Sequence, residues 1–247
     1  MLSSPTDTPT RLDSTSTPDS VLREVFAHGA VATASGAETP IFPTGLKEPR
    51  AAALRRIVAR ERPLRTIETG CGLGISGLCI AAGVDDHLGR SAMERDGVSH
   101  VAVDPVQTAA EWMDSAALLV FERAGIRERV RLIEKRSEVA LPELWTGGER
   151  YDFAFVDGAH WFENVFIDLV FLARMVEPGG LIVVDDTWMP AIRTAVSYAA
   201  GNLNLARETA EGEGEDRFAL LRVLEVDPSR PWDHFVPFDV ARDDGRS

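Results

Sequence analysis

Between Leu64 and Asp186 five short β-type runs alternate with helical patterns, and this alternation restricts the fold more than any other feature of the chain. The runs are LRTIE (64–68), SHVAVD (99–104), RVRLIE (129–134), YDFAFVD (151–157) and GLIVVDD (180–186). Helical spacing separates them at ISGLCIAAG, TAAEWMDSAALLVFERAG, SEVALPELW and WFENVFIDLVFLARMV. Strands separated by helices line up parallel, with the helices covering both faces of the sheet. After another helix, at about residues 191–200, LNLARET and RFALLRVLEV are joined only by the polar turn AEGEGED. That link is too short for a crossover, so these two runs pair antiparallel. The expected fold is α/β: a Rossmann-like, seven-stranded, mostly parallel sheet with a C-terminal antiparallel strand and helices on both faces.

The rest of the chain divides around that unit. Residues 1–20 contain 13 Ser, Thr or Pro and few large apolar side chains, so they read as a flexible tail. VLREVFAHGA reads as a helix, followed by a Gly-, Pro-, Thr- and Ala-rich loop through Gly45 and a second helix over EPRAAALRRIVARE. Residues 21–62 thus form an N-terminal helical segment whose loop is placed to act as a lid, and 63–247 form the main domain. A net charge of −13 argues against a nucleic-acid partner, because binding a polyanion needs clustered Lys and Arg to displace counterions. A small-molecule substrate fits better. No apolar run of about 18 residues is present to span a bilayer, and no secretory signal opens the chain. Two cysteines eight apart, Cys71 and Cys79, make neither a metal nor a disulfide framework, so a cytoplasmic location is expected. The N-terminal helices offer a surface for a homodimer, although nothing in the sequence requires one.

The stretch IETGCGLGISG (67–77) admits two nucleotides. GLGISG satisfies the G-x-G-x-x-G pattern of a dinucleotide site, which would make the chain an NAD(P)-dependent oxidoreductase. An acidic ribose ligand is then expected about 20 residues further on, whereas the next strand-end acid, Asp104, lies 27 residues after Gly77. Glu68 also stands directly before the glycines, where it would repel a pyrophosphate. A carboxylate there suits a cationic, phosphate-free ligand such as S-adenosylmethionine (SAM), with its sulfonium and ammonium groups.

ETGCGLG, VAVDP, YDFAFVDGAH and EPGGLIVVDD, in this order, resemble the successive motifs of the class I SAM-dependent methyltransferases, over roughly Glu48 to Val226. The DGAH and VDD pair and the Trp-Met-Pro that follows are most similar to the small-molecule branch that includes catechol-type and antibiotic-sugar O-methyltransferases. The resemblance implies that Glu68 and the backbone of Gly70, Gly72 and Gly74 hold the amino-acid end of SAM. It also places Asp104 on the ribose hydroxyls and Ser137 on adenine. Bottom-up, Asp104 at the carboxyl edge of a parallel sheet suits a ribose equally well, and both it and Ser137 also suit helix starts.

Asp157, His160, Asp185 and Asp186 close the fourth and fifth runs, so they should meet at one edge of the sheet. Three converging carboxylates need something positive among them. A Mg²⁺-like cation held by Asp157, Asp185 and Asp186 is the expected occupant, and by resemblance it would bind substrate oxygens and lower a hydroxyl pKa. His160 is the candidate general base for that hydroxyl, with a helix-capping role as its alternative. The chain departs from many catechol-type relatives in having Asp-Asp where they have Asp-Asn, and no Lys base can be placed. Trp161 and Trp188 stand near the cluster as candidate walls of an acceptor pocket. The expected activity is methyl transfer from SAM to an oxygen of a small acceptor; transfer to nitrogen is the alternative within the same fold.

Overall fold

The computed structural model describes residues 16–89, 95–209 and 218–240. Along the chain these form α1 (Pro18–His28), β1 (Ala30–Ala32), β2 (Glu38–Pro40), α2 (Glu48–Glu61), β3 (Arg65–Thr69), α3 (Ile75–Leu88), β4 (Ser99–Val103) and α4 (Ala116–Arg123). There follow β5 (Val130–Ile133), α5 (Ser137–Thr146), β6 (Tyr151–Val156), α6 (Phe162–Met175), β7 (Val176–Val184), α7 (Pro190–Asn202), β8 (Leu205–Arg207) and β9 (Ala219–Val223). The tail expected over residues 1–20 lies, up to residue 15, outside the described residues, as does the turn AEGEGED. From Pro18 the chain is already helical, because Thr17 and Ser20 form a reciprocal capping box that satisfies two end amides.

The main sheet has the order β5-β4-β3-β6-β7-β9-β8. β3 to β7 pair parallel and β9 pairs antiparallel with both β7 and β8, so one strand of seven is reversed. The period of two along each strand sorts side chains to two cores. Phe153, Phe155, Leu181 and Val183 pack with α1 to α4. Ala154, Val156, Ile182 and Val184 pack with α5 to α7. Full burial of the Val, Leu, Ile and Phe side chains among these contributes about 1.5–3 kcal/mol each, which fixes the strand register against a one-residue slip.

That register positions the site. Thr69 is level with Val103 on one side and with Val156 on the other, and Val156 is level with Val184. Gly70, Asp104, Asp157 and Asp185 therefore leave the sheet in one row. Hydrogen bonds continue the ladder past the strand ends, from Gly70 N to Val103 O, Asp157 N to Thr69 O and Asp185 N to Val156 O. Between β3 and β6 the chain order reverses, and at this switch point open α/β sheets bind ligands. An added Cβ on Gly70 (φ 83°) would come within 2.0 Å of the Asp157 carbonyl oxygen, so the two loops can cross here only over a glycine.

Upstream of the sheet, β1 and β2 form a small antiparallel hairpin inside the segment expected to be a loop. The helix expected from Thr108 begins only at Ala116. No described helix is long and apolar enough to cross a membrane.

Candidate active site

A cavity of about 550 Å³ opens at the switch point. One end is formed by Gly70, Gly72, Asp104 and Ser137; the other by Arg50, Asp157, His160, Asp185 and Asp186. Pro43 to Leu46, between β2 and α2, also line it, so the expected lid residues do lie against the site.

At the first end, Asp104 is buried beside the glycine loop. Its Oδ2 accepts from Cys71 N (3.1 Å) and Gly72 N (2.9 Å), and its Oδ1 accepts from Val106 N at 3.0 Å. Asp104 thereby takes the amides that a pyrophosphate would need, which counts against a dinucleotide, while Oδ1 keeps an acceptor site for a hydroxyl. Gly74 takes the left-handed conformation at the start of α3 and packs on Ala117 and Phe121 instead of lining the cavity. Ser137 lines it at the first turn of α5. Trp112 and Met113 line the same end, from the segment expected to be helical.

Glu68 lies beneath the loop. It is fully buried and absent from the cavity wall, and its Oε1 pairs with Nε2 of the equally buried His100 at 3.0 Å. His100 in turn meets Thr66 Oγ1 through Nδ1 at 2.8 Å. Any influence of Glu68 on a ligand therefore passes through the loop that it supports. Burial among these acids pushes the Cys71 thiol well above its ordinary pKa, and burial raises Cys79 too, so both remain unreactive thiols.

At the other end the positive group that the carboxylates need is Arg50, on the first turn of α2. Its guanidinium contacts Asp185 Oδ1, and its Nη2 donates to Asp186 Oδ1 at 3.1 Å. The guanidinium carbon also lies 5.7 Å from the centre of the Phe218 ring, within cation–π range. Asp186 Oδ1 accepts from Trp188 Nε1 as well (3.1 Å), and its Oδ2 pairs with His160 Nε2 at 3.0 Å. His160 Nε2 lies 3.8 Å from Asp157 Oδ1. Trp161 and Trp188 are both exposed and lie outside the cavity lining.

The environment divides the acids. Burial raises Asp157 to about 6, against the opposing pull of His160. Burial acts on Asp186 in the same direction, but the hydrogen bonds from His160 and Arg50 outweigh it and bring the carboxyl down to about 2. Hydrogen bonds to Asp157 and Asp186 raise His160 to about 10, so it is an imidazolium at neutral pH. One ligand atom from each of Asp157, His160 and Asp186 lies within 4.8 Å of the others. The expected cation was assigned to Asp157, Asp185 and Asp186. Two of those three carboxylates instead share the Arg50 guanidinium, so as a ligand set the trio fits a divalent ion poorly.

Residues 67–187, which contain both the glycine loop and the acidic cluster, match the family described as Methyltransferase domain. No curated protein matches the sequence. Among solved structures, the chain is similar to the O-methyltransferase from Bacillus cereus in complex with SAH, at 18% identity over 83% of this chain and 91% of that one, with a TM-score of 0.63. Cofactor-bound Rv0187 from MTB aligns at 21% identity over 83% and 90% of the two chains, TM-score 0.64. The O-methyltransferase TomG from Streptomyces achromogenes, involved in tomaymycin synthesis and in complex with SAM, aligns at 19% over 73% and 82%, TM-score 0.58. The family match spans the site, and the similar solved structures share the sheet architecture, so the chain has the Rossmann-like fold of these methyltransferases.

Proposed function

We propose that the protein transfers a methyl group from SAM to an oxygen of a small hydroxylated acceptor. One observation carries this reading: a single cavity joins the glycine loop and Asp104 at one end to Asp157 and His160 at the other. Donor and acceptor bound there share one space, which supplies the alignment that direct displacement needs. The loop backbone at Gly70 and Gly72 would hold the amino-acid end of SAM, Asp104 Oδ1 a ribose hydroxyl and Ser137 the adenine. The acidic floor suits a cationic donor. That two of the similar solved structures are O-methyltransferases, in complex with SAH and with SAM, supports oxygen as the acceptor atom.

In the step itself the acceptor oxygen forms a bond to the methyl carbon as the carbon–sulfur bond breaks, leaving a neutral thioether. The proton goes to Asp157, whose proton affinity near neutrality suits a general base. His160, as an imidazolium, holds Asp157 and Asp186 in place and is not itself the proton acceptor. Buried free thiols at Cys71 and Cys79 fit a reducing compartment such as the cytoplasm.

Differential scanning fluorimetry with SAM, SAH and NAD tests the donor, and labelled SAM with catechol, sugar and amine acceptors tests the acceptor. Stabilisation by SAM and SAH with label on a hydroxyl is expected. Stabilisation by NAD alone would overturn the reading, and label on amines only would move it to N-methylation.

A further inference from the structure

We infer that Arg50 is the resident cation of the acceptor end, excluding a divalent metal from Asp185 and Asp186 and positioning Asp186 and His160 in its place. This rests on the proposed methyl transfer for its purpose, but its geometry stands apart from the identity of the acceptor.

Four observations converge. Arg50 is fixed at its base. α2 packs so closely on α3 that a Cβ on Gly83 would come 2.7 Å from both Arg55 O and Val58 Cβ, so the helix that carries Arg50 is rigidly seated. Its head is fixed too, between the Phe218 ring on one side and the two carboxylates on the other. The side chain is only 12% exposed, and those of Asp185 and Asp186 only 1% and 14%. A guanidinium so enclosed has no solvent to move into if a second cation arrives. Finally, three of the four carboxylate oxygens that Asp185 and Asp186 could offer a metal are engaged. Asp186 uses Oδ1 for Arg50 and Trp188 and Oδ2 for His160, while Asp185 Oδ1 meets Arg50 and the Asp186 amide.

A divalent ion placed among these acids would sit a few ångströms from an immobile positive charge in a poorly solvated site, where like charges repel strongly. Arg50 instead provides directional hydrogen bonds. It holds Asp186 so that Oδ2 faces His160, and His160 in turn lies beside Asp157. Arg50 acts through these groups and is a positioning residue. Two buried atoms of the cluster, Asp185 Oδ2 and Arg50 Nε, are left without a hydrogen-bond partner. Removal of Arg50 would free both aspartates and leave an open acidic pocket with His160 beside it, a donor set that a divalent cation accepts.

The test is calorimetric titration of Mn²⁺ and Mg²⁺ into the full-length protein saturated with SAH, for wild type, Arg50→Met, Arg50→Gln and Arg50→Lys. SAH affinity, measured separately, shows that each variant is folded. The expected result is no saturable Mn²⁺ site in wild type or Arg50→Lys. A saturable site should appear in Arg50→Met or Arg50→Gln, with Mn²⁺ affinity up about tenfold or more. Stoichiometric Mn²⁺ binding by wild type would overturn the inference. So would an SAH-competent Met or Gln variant that gains no site. Should both neutral variants lose SAH binding, wild type and Arg50→Lys still decide the matter. Because the readout is metal binding, a failure of the methyl-transfer reading shows itself separately, as absence of SAH binding in wild type.

Discussion

Asp157 and Asp186 are the same residue in the same cluster, yet their surroundings drive them apart, to about 6 and about 2. Burial raises both; only Asp186 also receives Arg50 and a 3.0 Å contact from His160. Such a split separates a carboxylate that can take up a proton from one that stays ionised. The sign follows directly. Below about 6 Asp157 is protonated and cannot accept the acceptor's proton, so kcat/KM should climb as pH rises through that value. It should fall again only as His160 loses its proton near 10. Asp157→Asn should lower kcat by about 10²–10⁴-fold and remove the acid limb; an unchanged limb in that variant would take the base role away from Asp157. Gly70 makes a second residue-scale prediction, since its Cβ would overlap the Asp157 carbonyl oxygen at 2.0 Å and its φ of 83° disfavours any side chain. Gly70→Ala should cost about 3 kcal/mol in thermal or urea unfolding and weaken SAH binding, because the loop must shift to admit the methyl group.

At the scale of elements, the β runs of the sequence were easy to read and the stretch before α4 was not. Periodicity carries TAAEWMDSAALLVFERAG as one helix, but Asp114 (φ 43°) and Ser115 (φ 60°) both adopt the left-handed region, and the helix starts after them. Left-handed backbone at two successive non-glycine residues persists only where tertiary contacts over-determine it. Those contacts are distant in sequence: Asp114 O and Oδ2 accept from Ala34 N (2.8 Å) and Ser35 N (2.9 Å) of the β1–β2 hairpin, and Ser115 N donates to Gln107 O at 2.7 Å. No local pattern reveals such a clasp. It ties the hairpin leading into the Pro43–Leu46 roof to the segment bearing Trp112, so it closes the cofactor end of the cavity from two sides. Asp114→Gly removes the carboxylate while suiting the backbone, and should raise the KM for SAM several-fold while leaving kcat unchanged. A fall in kcat with KM unaltered would place the clasp's effect on chemistry instead of on cofactor capture.

Across the whole molecule, the legible part of the site is the part that the sheet brings together. Gly70, Asp104, Asp157 and Asp185 all follow apolar strands at a shared register, so period and strand ends suffice to gather them. Arg50 escaped because it arrives from a helix 136 residues away from Asp186, where EPRAAALRRIVARE reads as an ordinary amphipathic surface with four arginines. Glu68 shows the opposite limit. The motif located it correctly at the end of β3, but period alone could not tell that it turns beneath the loop to His100. The same long-range logic governs the C-terminus. β9 covers Leu181–Val184 of β7, the strand that ends in Asp185 and Asp186, and it follows directly on Phe218 beneath Arg50. The tail beyond it is held more lightly, by Asn202 against Val236 and by Tyr198 edge-on to Phe238 at 5.2 Å. A chain ended after Leu224 keeps every strand, and should bind SAH as full-length protein does with Tm lowered by about 2–8 °C. A chain ended after Glu208 strips β7 of its outer partner and Arg50 of its aromatic support, leaving an apolar edge open to association. It should show neither cooperative unfolding nor SAH binding. Cooperative unfolding with SAH binding in the shorter chain would mean that β7 and the acidic row hold their place without β9, and that the reversed strand is dispensable to the site.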